Sequence, residues 1–313
     1  MNIYSKNSEI LFLYDAKMTN PNGDPDDENK PRMDYEKEIN LVSDVRLKRY
    51  IRDYLESKNY EIFVTKIDGE TVDATERLKR LLGKDKLTNL TKEDVDIILS
   101  RLIDVRLFGA TMPIKAQEGE KGASSTFTGP VQFTWGYSLN KVELVRSSSL
   151  TSTFAGRDQA GKGEYGTFGK DWRLYYSLIS FYGIISGYRA KYTRLTEEDV
   201  KLLDDVLLRA IPQMASTRSK VGQKPRFLLR VEYKTPDIFL GDMRGKIHLD
   251  KEEGLRDISD FELDLCELKE FFGQNQEKIE KIYIFEDPEL RIKNGSFKEQ
   301  IKNVFDNKLQ DIV

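Results

Sequence analysis

Residues 40–57 read NLVSDVRLKRYIRDYLES, and this stretch decides the fold. With about 100° between successive residues of a helix, its apolar side chains fall on one side and its arginines on the other. The apolar side contains Leu47, Tyr50, Ile51, Tyr54 and Leu55. The opposite side contains Arg46, Arg49 and Arg52, with Lys48 at its edge. The stretch therefore predicts an amphipathic helix that buries one side and exposes a row of cations.

Strands are predicted before and after this helix. Residues 8–17, SEILFLYDAK, form an apolar run that is typical of a buried strand. Further strands are predicted at 101–108, 130–137, 141–146, 172–186, 226–234 and 282–285. Further helices are predicted at 74–82, 91–100, 196–210 and 296–309, and the third of these begins with a T-x-x-D capping signature.

The order of these elements predicts the fold class. It is strand, helix, strand, strand, helix, strand with insertions, which is typical of a ferredoxin-like βαββαβ core in an α+β protein. No linker divides the chain, so we expect a single domain over residues 1–313. Its insertions and extension are predicted as helices within 58–100, a long hairpin or loop at 146–172 and an acidic C-terminal part at 250–313.

Composition excludes several classes of protein. The chain has 313 residues, of which 39% are hydrophobic and 33% charged, and it has no apolar run long enough to cross a membrane. The N-terminus does not resemble a signal peptide, so a cytoplasmic location is expected. One histidine, His248, and one cysteine, Cys266, exclude a disulfide and the usual histidine or cysteine metal sites.

The charge is unevenly distributed. The net charge is −3, but residues 251–313 contain 10 basic and 16 acidic side chains, whereas residues 209–234 contain seven basic side chains and one acidic one, Glu232. Arg218, Lys220 and Lys224 belong to this basic segment. It could bind phosphate or be an ordinary basic loop, and the arginine row of residues 40–57 could likewise be a phosphate site or a solvated face.

A glycine-rich stretch precedes the strand predicted at 172–186. Residues 156–170 read GRDQAGKGEYGTFGK and contain the pattern G-x-G-x-x-G. A dinucleotide or kinase site is not expected, because no helix follows the third glycine and no kinase motif accompanies it. The stretch is predicted to be the tip of a hairpin. Its cations Arg157 and Lys162 and its rings Phe154 and Phe168 suit single-stranded nucleic acid, although an exposed loop without a ligand has the same composition.

An acidic loop, NPNGDPDDEN, contains Asp24, Asp26 and Asp27. Clustered carboxylates could hold Mg²⁺ or Ca²⁺, but the glycine precedes the acids and prolines interrupt them, which favours a tight turn. We therefore expect a turn without a bound metal.

Several motifs together resemble one known family. They are NPNGDP (20–25), SDVRLKRYIRDY (43–54), DVRLFGA (104–110), GPVQFTWGYSL (129–139), STRSK (216–220) and RFLLRVEY (226–233). In this order they resemble the backbone subunit of type I CRISPR Cascade complexes, a member of the RAMP-like proteins, and most of all its subtype I-B branch. The last 60 to 80 residues contain no motif of that family.

The resemblance implies a hand-shaped protein. Its palm would be a modified RNA-recognition (RRM/ferredoxin-like) fold, its fingers the helical insertion and its thumb the long β-hairpin. Copies would assemble head to tail along a CRISPR RNA, and each thumb would flip one guide base while the other bases pair with target DNA.

The resemblance also implies partners, which are the guide RNA, the target DNA strand, a subunit that caps the guide 5′ end, large and small subunits, and a recruited nuclease-helicase. No membrane partner, no cofactor and no catalysis are expected. The alternative is a metal-dependent, RNA-guided ribonuclease subunit, like that of type III complexes, which would use the Asp24–Asp27 loop. Together with the residues above, it predicts RNA contacts at Ser43, Arg46, Lys48, Arg49, Arg52, Arg146, Arg157, Lys162, Arg218, Lys220 and Lys224. It predicts base stacking by Phe154 and Phe168.

Overall fold

The computed structural model describes residues 2–67, 69–114, 123–146, 148–151 and 168–313. Its strands are β1 (Ser8–Thr19), β2 (Gly23–Asp24), β3 (Lys30–Pro31), β4 (Met33–Asp34), β5 (Ile39–Val42), β6 (Gly109–Ile114), β7 (Ala123–Thr128), β8 (Val131–Phe133), β9 (Gly136–Ser138), β10 (Ser149–Thr151), β11 (Phe168–Lys170), β12 (Leu174–Ile185), β13 (Gln223–Tyr233), β14 (His248–Leu249), β15 (Leu263–Asp264), β16 (Ile279–Glu286) and β17 (Leu309–Asp311).

Eight α-helices lie in the described residues. They are α1 (Asp44–Ser57), α2 (Ala74–Leu82), α3 (Lys92–Arg101), α4 (Ile103–Phe108), α5 (Gly187–Thr193), α6 (Glu197–Met214), α7 (Cys266–Gln274) and α8 (Phe297–Phe305). Short 3₁₀ helices occur at Met243–Lys246, Ile258–Asp260 and Asp306–Lys308. Among these helices, none combines the length and the hydrophobicity needed to cross a bilayer.

β1 is the centre of the main sheet. It pairs antiparallel with β12, where Phe12 lies opposite Phe181, and antiparallel with β13, where Phe12 lies opposite Leu228. Phe12 packs in a hydrophobic cluster on one face of the sheet, and Leu11 and Leu13 pack in a second cluster on the other face. Burial on both faces explains why this strand is an apolar run rather than an alternating pattern.

The main sheet runs in the order β17-β16-β13-β1-β12-β9-β5-β4, with β8 also paired to β12. β17 pairs parallel with β16, so the sheet is mixed. The protein is therefore a mixed α/β protein built on one central sheet. Two of its strands come after the main helices in the chain, β9 after α1 and β13 after α6. In the sheet, β1 and β12 lie between these two strands.

α1 confirms the helix predicted from residues 40–57, although it begins four residues later because Ile39–Val42 form β5. Its buried residues are Leu47, Tyr50, Ile51, Tyr54 and Leu55, as the apolar spacing predicts. They join the cluster that α6 also enters, so α1 and α6 cover the same face of the sheet. The arginine row is less exposed than predicted and lies at the edge of this core, where Arg46 packs on Tyr50 and Arg52 on Phe108.

The opposite face of the sheet is covered by the C-terminal part of the chain. Apolar residues between Met243 and Phe305 pack there against β1, β12, β13 and β16. Within this region the predicted strand at 282–285 is confirmed as the longer β16. The helix predicted at 296–309 is shorter, since it ends at Phe305 and the chain continues into a 3₁₀ turn and β17.

The insertion after α1 forms a third hydrophobic cluster. Its buried residues come from α2, α3, α4 and the β6–β7 hairpin, and they include Leu78, Ile98 and Met112. The sequence predicted the two helices α2 and α3 and assigned the hairpin region to a polar loop. That assignment was wrong because the alternating pattern of β6 is short and is interrupted by Pro113.

Two predicted strands were wrong. Residues 101–108 form the end of α3 and the helix α4, not a strand. All but one residue of α4 are buried. Its apolar residues therefore show no periodicity by which a helix could be distinguished from a strand. Residues 141–146 are extended beside β12 but form only an isolated bridge, Leu144 to Leu174, because their other backbone hydrogen bonds go to separate segments such as Glu38 and Glu252.

Candidate nucleic-acid interface

The N-terminus of α1 is capped and held by a neighbouring loop. The Oγ atom of Ser43 accepts a hydrogen bond from the backbone N–H of Arg46 at 3.2 Å. The Oδ1 atom of Asn22 in turn accepts hydrogen bonds from the backbone N–H and the hydroxyl of Ser43, at 2.8 and 3.0 Å. The N-terminal end of the helix dipole and Arg46 are therefore fixed beside the end of β1.

Arg46 lies beside Lys220 at this end of the sheet. Its guanidinium packs 4.1 Å from the ring centre of Tyr50, and within the described residues its Nε atom is buried without a hydrogen-bond partner. Burial, and then the charge of Arg46, lower the pKa of the Lys220 ammonium to about 8. The two cations repel each other, and neither forms an ion pair in the part of the chain that the structure describes.

The loop that carries Lys220 is tied to the end of β1. Lys220 donates to the backbone carbonyl of Asn20, and the backbone N–H of Asn20 donates to Ser219 at 2.8 Å. Gly222 has φ +114°, and a Cβ there would lie 2.5 Å from the carbonyl oxygen of Lys17, so the close approach requires glycine. We call Ser43, Arg46 and Lys220, with Asn20 and Asn22 behind them, the palm site.

The palm site can hold an anion. It offers a helix N-terminus, a guanidinium without an ion pair among the described residues and a partly desolvated ammonium. A phosphodiester would relieve the repulsion between Arg46 and Lys220 and would accept their hydrogen bonds. Three of the predicted contact residues, from two distant segments of the sequence, thus come together.

Other cations of α1 are used inside the protein. Lys48 donates to Asp44 at 3.1 Å and to Gln132 at 3.0 Å, and its side chain is mostly buried. Arg52 donates to the buried carboxylate of Asp104 at 3.0 Å. Because these groups fix α1 to α4 and β8, we leave Lys48 and Arg52 out of the proposed RNA contacts.

Arg49 is partly bonded within the protein and partly exposed. Its guanidinium donates to the backbone carbonyl of Val64 at 2.8 Å and pairs with Asp53 at 2.5 Å, yet one third of the side chain is exposed and Nε is unpartnered among the described residues. It lies one turn after Arg46 on the same row of α1. It can therefore extend the palm site along the helix.

The remaining basic residues are spread over a wider surface. Arg146 is exposed, and Arg218 is 65% exposed with its nearest carboxylate, Asp171, at 3.8 Å. Lys224 pairs instead with Asp287 at 2.8 Å and Glu289 at 2.9 Å. Arg146 and Arg218 are available to a ligand, whereas Lys224 is neutralised by two carboxylates.

The predicted thumb is described only at its base. β10 and β11 pair antiparallel there, and Lys170 of β11 forms an ion pair with Glu28 at 2.6 Å. Phe154, Arg157 and Lys162 lie outside the described residues, as does the side chain of Phe168.

The base of this hairpin borders a cavity of about 260 Å³ that the sequence did not predict. Asn20, Trp172, Thr217 and Arg218 contribute to its lining. Trp172 has the ammonium groups of Lys30 and Lys170 at 5.1 and 5.9 Å from its ring centre. In the sequence, Trp172 lies two residues after the end of the glycine-rich stretch 156–170. Its partner Lys30 is far away in the chain, so the sequence did not indicate the cavity.

The acidic loop does not form a metal cage. Asp24 pairs with Arg32 at 3.0 Å, and Asp27 pairs with Lys30 at 2.7 Å. In the described part of the chain, no three acidic, histidine or cysteine side chains converge as metal ligands would. The loop is the tight turn that its asparagine, proline and glycine content favours.

Comparison with known proteins identifies relatives of the chain. A family model described as "CRISPR-associated protein Cas7" matches residues 6–266. A curated "CRISPR-associated protein Cas7" from Haloferax volcanii is 33% identical over 305 residues, which cover 92% of this chain and 89% of that protein.

Two solved structures are also similar. A chain of "CRISPR RNA-guided surveillance complex, pre-nicking" has a TM-score of 0.48 and 13% identity, and it covers 95% of this chain and 98% of its own length. A chain of "CRISPR RNA-guided surveillance complex" has a TM-score of 0.46 and 13% identity, with 95% and 97% covered.

Proposed function

The chain belongs to the CRISPR-associated Cas7 family, and from that premise we propose that it is a non-catalytic backbone subunit of a type I CRISPR effector complex, Cascade. It binds CRISPR RNA and presents the guide bases to target DNA. The observation that carries this proposal is the palm site, where Arg46 and Lys220 lie side by side without a carboxylate partner among the described residues.

The proposed palm is a modified RRM/ferredoxin-like fold. The antiparallel strand order β13-β1-β12-β9 with α1 and α6 on one face supports this assignment. The palm site lies where β1 ends and α1 begins, so a strand of RNA can pass across that edge. A protein that repeats along any guide must ignore its sequence, and phosphate contacts meet that need because they do not read bases.

The proposed assembly is an open filament of copies joined head to tail along the guide, because such contacts use two different surfaces. The thumb, with Phe154, Phe168, Arg157 and Lys162, inserts between guide nucleotides and flips one base per subunit. The other partners are the subunit at the guide 5′ end, the large and small subunits and a recruited nuclease-helicase. The complex works in the cytoplasm and belongs to subtype I-B.

The proposal contains no catalytic step in this chain. The ion pairs of Asp24 and Asp27 support that view, because carboxylates already neutralised by cations are poor ligands for Mg²⁺. The rival function, RNA cleavage by the acidic loop, has no observation in its favour.

Size-exclusion chromatography with single-stranded RNAs of increasing length tests the function. We expect a complex that absorbs at 260 nm and whose mass rises in regular steps with RNA length, because each added copy occupies one further segment of guide. A protein that elutes at the same volume with and without RNA would refute the proposal. RNA shortened in the presence of Mg²⁺ would favour the nuclease instead.

The palm site also predicts a pH dependence. With the pKa of Lys220 lowered to about 8, the side chain is mostly a neutral amine above pH 8, and RNA binding there must return a proton to it. Affinity is therefore expected to stay level from pH 6 to 7.5 and to fall by up to about tenfold per pH unit above 8. Fluorescence anisotropy across this range measures it, and Lys220→Arg is expected to flatten the profile. A wild-type profile that is flat to pH 9.5 would contradict the assignment.

The same pKa shift affects protein stability in the opposite direction from RNA affinity. Unfolding returns Lys220 to its ordinary pKa of 10.5, so the folded chain carries the full unfavourable contribution of this buried charge below pH 8. That contribution declines as the pH rises from 8 and is absent above 10.5. Stability from this group thus rises with pH where RNA affinity falls, which separates the two effects experimentally.

A further inference from the structure

A cavity of about 370 Å³ lies between α1 and the inserted helices. We call it the fingers cavity. Its apolar lining residues are Phe63, Val64, Val72 and Ala74. Its cationic lining residues are Arg49, Lys66 and Arg77. A pocket lined by both apolar and cationic side chains fits a ligand with a hydrophobic part and a negative charge.

The cations of the fingers cavity are incompletely satisfied. The Nε atoms of Arg49 and Arg77 are both buried, and neither has a hydrogen-bond partner in the described residues. Arg77 uses another nitrogen, since it donates to the backbone carbonyl of Ile62 at 2.8 Å. Neither Lys66 nor Arg77 forms an ion pair in the described chain. A ligand phosphate would contact the exposed part of Arg49 and the exposed Lys66 rather than these buried atoms.

Few acidic side chains line the fingers cavity. The single carboxylate among the described lining residues is Asp73, which caps α2 by accepting a hydrogen bond from the backbone N–H of Glu76 at 3.0 Å. The N-terminus of α2 therefore faces the cavity with a cap of its own.

Arg49 is paired with Asp53 at 2.5 Å, and Arg77 helps to lower the pKa of the Glu61 carboxyl. Lys66 is therefore the lining cation without a carboxylate partner among the described residues, and it is the group most available to an anion.

The fingers cavity and the palm site are linked by neighbouring residues of α1. Arg46 belongs to the palm site and Arg49 lines the cavity, and the two lie one helical turn apart, with about 5–6 Å between Cβ atoms at such spacings. A polyanion that binds Arg46 and continues along the row of α1 reaches the cavity at Arg49.

We propose that the fingers cavity binds one nucleotide unit of single-stranded RNA next to the segment held in the palm site. This inference rests on the proposed function and adds two contact residues, Lys66 and Arg77, that the sequence did not indicate. The phosphate lies against Arg49, Lys66 and Arg77, and the sugar or base packs on Phe63 and Val72. Such a site is sequence-tolerant, because it uses charge and an apolar surface rather than base edges.

The test compares Lys66→Glu with Lys86→Glu in the full-length protein. Both lysines are exposed residues of the same insertion, neither forms an ion pair in the described chain, and both substitutions change the charge by the same amount. Anisotropy with a labelled, CRISPR-length RNA is expected to show at least a fivefold loss of affinity for Lys66→Glu and less than a twofold loss for Lys86→Glu. RNA carrying 4-thiouridine is expected to photocrosslink to the segment that contains Phe63 and Val64.

The outcomes separate the two claims. Equal affinities for the two variants, or crosslinks confined to other segments, would overturn the fingers cavity while leaving RNA binding in place. A wild-type protein that does not bind the RNA would overturn the proposed function and this inference together. Preferential loss in Lys66→Glu with matching crosslinks supports both.

Discussion

Replacing Arg46 with alanine and Lys220 with methionine is expected to weaken single-stranded RNA binding by about 100-fold. A hydrogen bond to a charged group contributes about 1.5–3 kcal/mol, and the double variant removes at least two of them. Methionine keeps most of the Lys220 stem, so packing at the end of β1 is preserved. Anisotropy titrations against a labelled RNA measure the loss.

The salt dependence gives an independent readout of the same variant. Each phosphate contact contributes about 0.7 to the slope of log affinity against log salt for single strands, so the double variant should lower the slope by about 1.4. Lys269→Ala with Lys302→Ala is the matched control, because both lysines are exposed on α7 and α8, across the sheet from the palm site. If the slope is unchanged in the palm variant, or changes equally in the control, the palm site does not contact the RNA.

The sequence predicts the palm site in part, and the reason is physical. The spacing of apolar residues in α1 places Arg46 on the side opposite the apolar face, and the basic composition around Lys220 indicates a phosphate site. What brings these two residues together is the pairing of β1 with β13, which sets the loop after α6 beside the start of α1. Long-range pairing of this kind has no signal in the spacing of either segment.

The same limit explains why Lys48 and Arg52 were predicted as RNA contacts. On a helical wheel they belong with the arginine row, but their partners Gln132 and Asp104 come from segments that fold back against α1. Asp104 also accepts hydrogen bonds from the backbone N–H groups of Phe63 and Val64, at 2.8 and 3.2 Å, so Arg52 helps to fix the insertion to α1. A charged face is recognised from sequence, whereas the neutralisation of single charges depends on tertiary contacts.

The fold was predicted best where one element contains its own signal. β1, α1, α6 and β13 are each identified by apolar pattern or capping residues, and they form the centre of the protein. The C-terminal region was predicted only in part, at the strand 282–285 and the helix 296–309. The rest of its layer was missed because those apolar residues are distributed among turns, short helices and two-residue strands, and the layer exists only through its contact with the sheet.

Replacing Asp204 with alanine is expected to reduce the free energy of unfolding by about 3–5 kcal/mol, the typical cost of leaving a buried charge unpaired. Arg230 is 1% exposed, and its Nε and Nη2 atoms donate to both oxygens of Asp204 at 2.7–3.0 Å. Burial disfavours the charged guanidinium, but the carboxylate outweighs it, so the pKa of Arg230 is raised. The pair joins α6 to β13, and its loss leaves the guanidinium stacked on Tyr283 with Glu232, at 3.7 Å, as its remaining close carboxylate.

The neighbouring residue supplies the control. Asp205 lies on the exposed side of α6 and forms a solvent-exposed pair with Arg209, so Asp205→Ala should cost no more than about 0.5 kcal/mol. Urea unfolding followed by circular dichroism compares the two variants. Glu232 lies 3.7 Å from Arg230 but already pairs with Lys6 at 2.8 Å, so it cannot replace Asp204 fully. The double variant Asp204→Leu with Arg230→Met should recover most of the loss, because it removes both charges and keeps the volume. Equal stabilities of Asp204→Ala and Asp205→Ala would mean that Arg230 is solvated in the folded protein, and the contact between α6 and β13 would then need another explanation.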